Sequence, residues 1–169
     1  SHDFEAENFR YGIGMACSPD GINWSKLPES ESPYSKEGLV LMAEYLPSFP
    51  GIPLHVTEPE VLLSGGVYEM WHAIWAADST YTYGIEAYVH ARSSDGIHWM
   101  PDTENLIVAR ADEESGAHSG LGQLALIKED SSYEMWYSLE KAGNDATLEH
   151  SQIQYTMSTD GVGWSEPLT

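Results

Sequence analysis

Ser93–Trp99 reads SSDGIHW, and the same phrase returns as SPDGINW at Ser18–Trp24 and as STDGVGW at Ser158–Trp164. A second phrase also recurs, VYEMWHAIW from Val67 and SYEMWYSLE from Ser132. Tyr68 and Tyr133 stand 65 residues apart (133 − 68), and so do Ser93 and Ser158 (158 − 93). Two separate motifs that keep one spacing define a true internal repeat. In the same register, PEVLLSGG (Pro59–Gly66) aligns with LALIKEDS (Leu124–Ser131).

Each full repeat reads as four strands. The first is apolar, Thr57–Leu63 or Gly122–Ile127, and ends in a turn at Ser64-Gly65-Gly66 or Glu129-Asp130-Ser131. The second is Tyr68–Trp75 or Tyr133–Leu139, and the third is Ile85–Arg92 or Ser151–Met157. Asp-Gly then predicts a tight type I′ hairpin turn, because glycine accepts positive φ. The Asp side chain accepts hydrogen bonds from turn N–H groups, and the Ser two residues earlier bonds across the same turn. The Trp three residues after the Gly folds back into the gap between units, where a large ring buries much area. A repeated residue does a repeated job, so Asp20, Asp95 and Asp160 read as structural.

The chain has 27 acidic residues against 7 Lys and Arg, a net charge of −20 and a sequence pI near 4.4. That balance argues against nucleic acid and anionic membranes as partners, since both demand basic patches. Cys17 is the lone cysteine and cannot form an internal disulfide. No apolar run reaches membrane-spanning length, no signal peptide is visible, and the localisation stays open. No His/Asp/Glu spacing suggests a metal site, no Gly-rich phosphate loop, nucleophile elbow or basic stripe is present, and no cofactor is expected.

A four-stranded antiparallel repeat of this length is one blade of a β-propeller. RYGIGMACS (Arg10–Ser18) with the first hairpin supplies only the last two strands of a blade. The expected architecture is therefore all-β: a partial propeller of about two and a half four-stranded antiparallel blades in one domain, 1–169. The half blade covers 8–26 and the full blades 54–101 and 118–167. LPESESPYSKEG (Leu27–Gly38) and LPSFPGIP (Leu46–Pro53) read as connecting loops.

YEMWYS followed by HSQIQYTMSTDGVGWSEP, together with YGIGMACSPDGINW (Tyr11–Trp24), resembles the blade pattern of the five-bladed propeller glycosidases, glycoside hydrolase families 43 and 32 and their relatives. The resemblance implies a central channel along the inner strands, with acidic side chains near their starts facing a sugar. It implies carboxylates sharing the roles of base or nucleophile, acid and pKa modulator. An acidic residue just before Pro on the inner strand is the family's placement, and Glu58-Pro59 matches it. Glu60 falls on the same face by period two. Glu58 and Glu60 are thus the catalytic candidates. At the repeat-equivalent place stands Gln123, which can bind a sugar hydroxyl but cannot shuttle a proton. His55 and His118 precede the two inner strands, and His72 and Trp75 belong to the second strand of the middle blade. With Gln123, these are the candidate sugar-binding residues.

Three readings follow. One is a degenerate glycosidase-like propeller that binds carbohydrate. Another is an active glycoside hydrolase whose site is completed across a homodimer. A third is a structural or interaction module. A homodimer is the expected assembly, because two such arcs hold five blades' worth of strands.

Overall fold

The computed structural model describes residues 11–43, 52–77, 84–107, 109–111, 119–142 and 148–168. Apart from one 3-10 turn at Glu29–Glu31, regular structure among them is strand. The chain opens with β1 (Gly12–Gly14) and β2 (Ala16–Cys17), two pieces of a strand that bends at Met15. β3 (Ser25–Lys26) pairs antiparallel with β2, and β4 (Leu39–Met42) pairs antiparallel with β1. The middle blade is a meander of β5 (Ile52–Ser64), β6 (Val67–Ala77) and β7 (Gly84–Ser93). β8 (Met100–Pro101) and β9 (Ala109–Ala111) share the outer edge of β7. The third blade is β10 (Ser119–Glu129), β11 (Ser132–Ala142) and β12 (Leu148–Ser158). Bridges Ser158–Trp164 and Tyr155–Leu168 stand where its fourth strand belongs.

The fourth strand of every unit is therefore split: one piece follows the hairpin, and a second lies further along the third strand. β4 is such a second piece. It falls between the two stretches read as loops and carries no turn or repeat signal, yet Leu39-Val40-Leu41-Met42 forms one wall of the core.

The three hairpins are built alike. Ser18, Ser93 and Ser158 each donate from Oγ to the following Asp Oδ1 at 2.8–3.0 Å and accept the Gly N–H at 2.9 Å. Each Asp Oδ1 also accepts two backbone N–H groups at 2.8–2.9 Å. The largest of these bonds, from the N–H of Asn23, His98 and Val162 respectively, hold the three carboxyls below the usual range. Each Trp Nε1 closes the loop on its Gly carbonyl at 3.0–3.2 Å. Only the glycines, Gly21, Gly96 and Gly161, take positive φ. The turn is thus an Asp- and Ser-capped loop rather than type I′, which needs two left-handed residues.

Two seams form the core, and the middle blade supplies one side of both. Alternation along β6 sends Met70, His72 and Ile74 toward the half blade, where Ile13, Leu27, Val40 and Leu41 meet them. Trp71 and Ala73 point the other way, against Leu121, Leu126, Tyr133 and Met135 of the third blade. Trp99 packs against the first seam and Trp164 against the second, while Trp24 is 62% exposed. Polar contacts fix the second seam. Trp71 Nε1 donates to the Gly161 carbonyl at 2.9 Å, and Tyr88 O–H to the Gly122 carbonyl at 2.6 Å. The buried Glu69 carboxylate accepts from Tyr133 O–H at 3.0 Å, with Lys128 Nζ at 3.7 Å and Arg92 Nη2 at 3.5 Å. Lys128 in turn donates to Ser64 Oγ at 2.8 Å. A charge this deep is tolerable only with such partners.

Among the described residues both ends of the arc are open. There β1–β2 pairs with strands on one side only, and an apolar groove of about 250 Å³ lies between the half blade and the middle blade. Val61, Met70 and Trp99 line it from the middle blade. At the far end, nothing among the described residues covers the outer face of the third blade.

A Cβ on Gly161 would lie 2.9 Å from Trp71 Cζ2, whereas one on Gly21 would meet nothing within 4 Å. Both glycines have φ above +70°. Replacing Gly21 with Ala is expected to cost about 1 kcal/mol from backbone strain. Gly161→Ala adds a steric conflict inside the seam and is expected to cost roughly 2–4 kcal/mol. Denaturant unfolding of the two variants checks the difference.

Candidate functional site

β5 is the inner strand of the middle blade, and its pairing with β6 is irregular. The register shifts between Thr57 and Glu60, so Glu58 and Pro59 together oppose His72. This is a β-bulge, which re-aims side chains and breaks alternation. Period two therefore fails between Glu58 and Glu60, and their side chains are not placed on one face by spacing alone. Glu58 adopts φ +55°. Ser35 and Asp130 are the other non-glycine residues with positive φ among the described residues, and both lie in turns. Glu58 alone of the three holds that conformation inside a strand. The left-handed region costs a side-chain-bearing residue on the order of 1–2 kcal/mol. The Glu58 side chain is half-buried, with Oε2 shielded from solvent.

Three rings gather at the start of the same strand. His55 pairs across the ladder with Trp75, and the rings stack with centroids 5.3 Å apart and planes 19° apart. Tyr11 leans on the other side of His55 at 4.9 Å. The Tyr11 backbone N–H donates to His55 Nδ1 at 3.1 Å, and its carbonyl accepts the Val56 N–H at 3.1 Å. In the neutral imidazole an accepting Nδ1 puts the proton on Nε2. Tyr11 stays exposed and Trp75 half-buried, so the group presents aromatic surface to solvent.

The structure thus brings His55 and Trp75 together, His55 on the strand that carries Glu58 and Glu60 and Trp75 on the adjacent β6. Sequence reasoning misses Tyr11. Its signal is the aromatic residue opening the YGIG strand, but only the β1–β5 contact reveals its neighbour. Gln123 sits in the corresponding bulge of β10, where the register shifts between Leu121 and Leu124, and its side chain is exposed. Its backbone does not share the positive φ of Glu58. His118 lies outside the described residues. His72 is sealed in the seam between half blade and middle blade, fully buried, where a ligand reaches it only if the seam opens. Among the described residues, no group of three or more His, Cys, Asp or Glu is arranged to hold a metal ion.

No family model matches the chain, and no curated protein sequence does. Its fold is similar to that of the Bombyx mori GH32 beta-fructofuranosidase BmSUC1, with a TM-score of 0.64 and 14% identity. The match covers 92% of this chain and 28% of that one. A mutant of the same enzyme in complex with sucrose gives a TM-score of 0.61 at 15% identity over the same shares. The chain therefore spans 28% of the length of the enzymes it matches. The likeness is one of fold alone: the chain resembles part of a propeller of the glycosidase type.

His72 couples the first seam to pH. Burial is the main cause that pushes its imidazole down to about 4. It folds neutral, while the unfolded chain takes up a proton below about 6.5. Stability is full above that value and falls as pH drops from about 6.5 toward 4, by roughly 3 kcal/mol in total. Burial depresses His90 in the same direction. Urea unfolding across this range is expected to show the decline, with a shallower slope for His72→Gln.

Proposed function

We propose that the protein is a glycosidase-like propeller that binds carbohydrate with degenerate or absent catalysis. The observation that carries this reading is the Tyr11–His55–Trp75 ring group, with the strained Glu58 three residues beyond His55 on the inner strand. Aromatic faces stack on the C–H surfaces of sugar rings, and a carboxylate accepts sugar hydroxyls. Backbone strain at one carboxylate of an inner strand is the kind of local cost that functional sites retain. The degenerate chemistry follows from the repeat. Glycoside hydrolysis ordinarily needs two carboxyl groups across the scissile bond. Where the second blade offers Glu58, the third offers Gln123, an amide that holds a hydroxyl without moving a proton.

The strain at Glu58 also favours a second reading, an active glycoside hydrolase in which Glu58 or Glu60 works with a carboxyl group from a partner subunit. A third reading, a scaffold without sugar binding, remains as an outcome of the test.

The test is a glycan array followed by calorimetry on the best ligand, beside hydrolysis assays on nitrophenyl arabinosides, xylosides and related glycosides. The expected result is binding without turnover, weakened roughly tenfold by Trp75→Ala and by Glu58→Gln. Turnover abolished by Glu58→Gln would establish the hydrolase instead. Absence of glycan binding across the array would leave the interaction scaffold.

A further inference from the structure

The seam between the middle and third blades is a template for what the outer face of the third blade lacks. Counting 65 residues on from the middle blade's buried face leads to that outer face. Tyr88, fully buried, becomes Ile153, which is 72% exposed. His90, buried, becomes the half-buried Tyr155, and Trp71 becomes the half-buried Trp136. Trp136 and Tyr155 pair across the ladder with centroids 5.1 Å apart, and Met157 and Leu168 extend the same bare surface. In the template, Trp71 Nε1 donates to the glycine carbonyl of the next unit's hairpin, and that carbonyl also accepts from Trp164. Trp136 Nε1 has no such acceptor among the described residues.

The chain also carries a matching hairpin that is not docked. In Ser18–Trp24 the Gly21 carbonyl accepts from Trp24 alone among the described residues. Nothing stands within 4 Å of a Cβ placed on Gly21. Ile22 is 81% exposed, whereas its equivalents Ile97 and Val162 are half-buried. The docking order inside the chain is a hairpin seated on the blade that precedes it. Among the described residues, no blade receives the first hairpin and no hairpin sits on the outer face of the third blade.

We propose that the bare face of the third blade receives a second copy of this chain, which seats its Ser18–Trp24 hairpin on Trp136 as Ser158–Trp164 sits on Trp71. The contact is head to tail, so two copies can satisfy both ends mutually or longer chains can grow. It repeats an interface the fold already makes, with the same donor, the same kind of acceptor and the same apolar row. It does not depend on the carbohydrate reading. The net charge of −20 on each copy opposes association, so added salt strengthens it.

Sedimentation velocity over a concentration series tests this in four chains: wild type, Trp136→Phe, Ile153→Lys and Ile22→Lys. Ile153 and Ile22 are solvent-exposed, so both lysine variants fold, and circular dichroism verifies it. Wild type is expected to form dimers or longer species. Trp136→Phe keeps an aromatic ring, though a smaller one, and loses the N–H donor, and is expected to weaken association roughly two- to tenfold. Ile153→Lys alone and Ile22→Lys alone are each expected to lower association sharply. An equal mixture of the two lysine variants still offers one intact face and one intact hairpin, so its dimers exceed those of either variant alone. A wild-type chain that stays monomeric throughout the series overturns the proposal. So does association that Ile153→Lys abolishes and Ile22→Lys leaves intact, which would mean face against face. Association that none of the variants alters overturns it as well.

Discussion

The indole of Trp71 can be buried only because something across the seam accepts the hydrogen bond from its N–H. A lone N–H in an apolar interior costs about as much as a lost hydrogen bond, and often more. The acceptor is the Gly161 carbonyl, and several features of the third hairpin converge on presenting it. Gly161 carries no Cβ, so the carbonyl approaches the indole closely. Its left-handed backbone aims the turn. Ser158 and Asp160 absorb the N–H groups that would otherwise seek partners nearby. The Glu69 cluster beside it applies the same demand to a charge. Because the middle blade gives one face to each seam, it has no face left with which to stand alone, as in other repeat proteins.

The repeat was legible from residues alone because hairpin chemistry is local. Ser, Asp, Gly and Trp within seven positions contact one another, so their spacing states their geometry. The 65-residue register then transferred that geometry along the chain and placed two seams and the pairing of β5, β6 and β7. Features that depend on distant backbone were not legible. β4 is an apolar run of four residues, and only β1 beside it makes it a strand. The bulge at Glu58 arises from the pairing of β5 with β6, and nothing in HVTEPEV distinguishes it from regular alternation except the proline. The turn type failed for a different reason. Asp-Gly is compatible with type I′, but the Ser and Asp side chains here cap the loop and keep Asp out of the left-handed region.

The candidate site shows the same division. Glu58, Glu60, His55 and Trp75 stand out by residue type and position, and the ladder explains why His55 meets Trp75. Tyr11 joins them from another sheet, through two backbone-level contacts that no local pattern announces. His72 looked available because it is a polar side chain in the second strand of the middle blade. Alternation on β6 turns it inward instead, opposite the bulge. His55 and Glu58 share one strand, three residues apart, and Trp75 faces His55 from the next.

The split fourth strands bear on how the molecule avoids sticking to itself in the wrong way. A long unbroken outer strand would offer a row of free N–H and C=O groups to any passing extended chain. Among the described residues, the rim of the half and middle blades is cut into pieces of two, four, two and three residues, β3, β4, β8 and β9. No piece is long enough to template the stacked pairing of an amyloid fibril, which needs segments of about six residues. The interruptions that hide the fourth strand from a reader of the sequence also hide its edge from other chains.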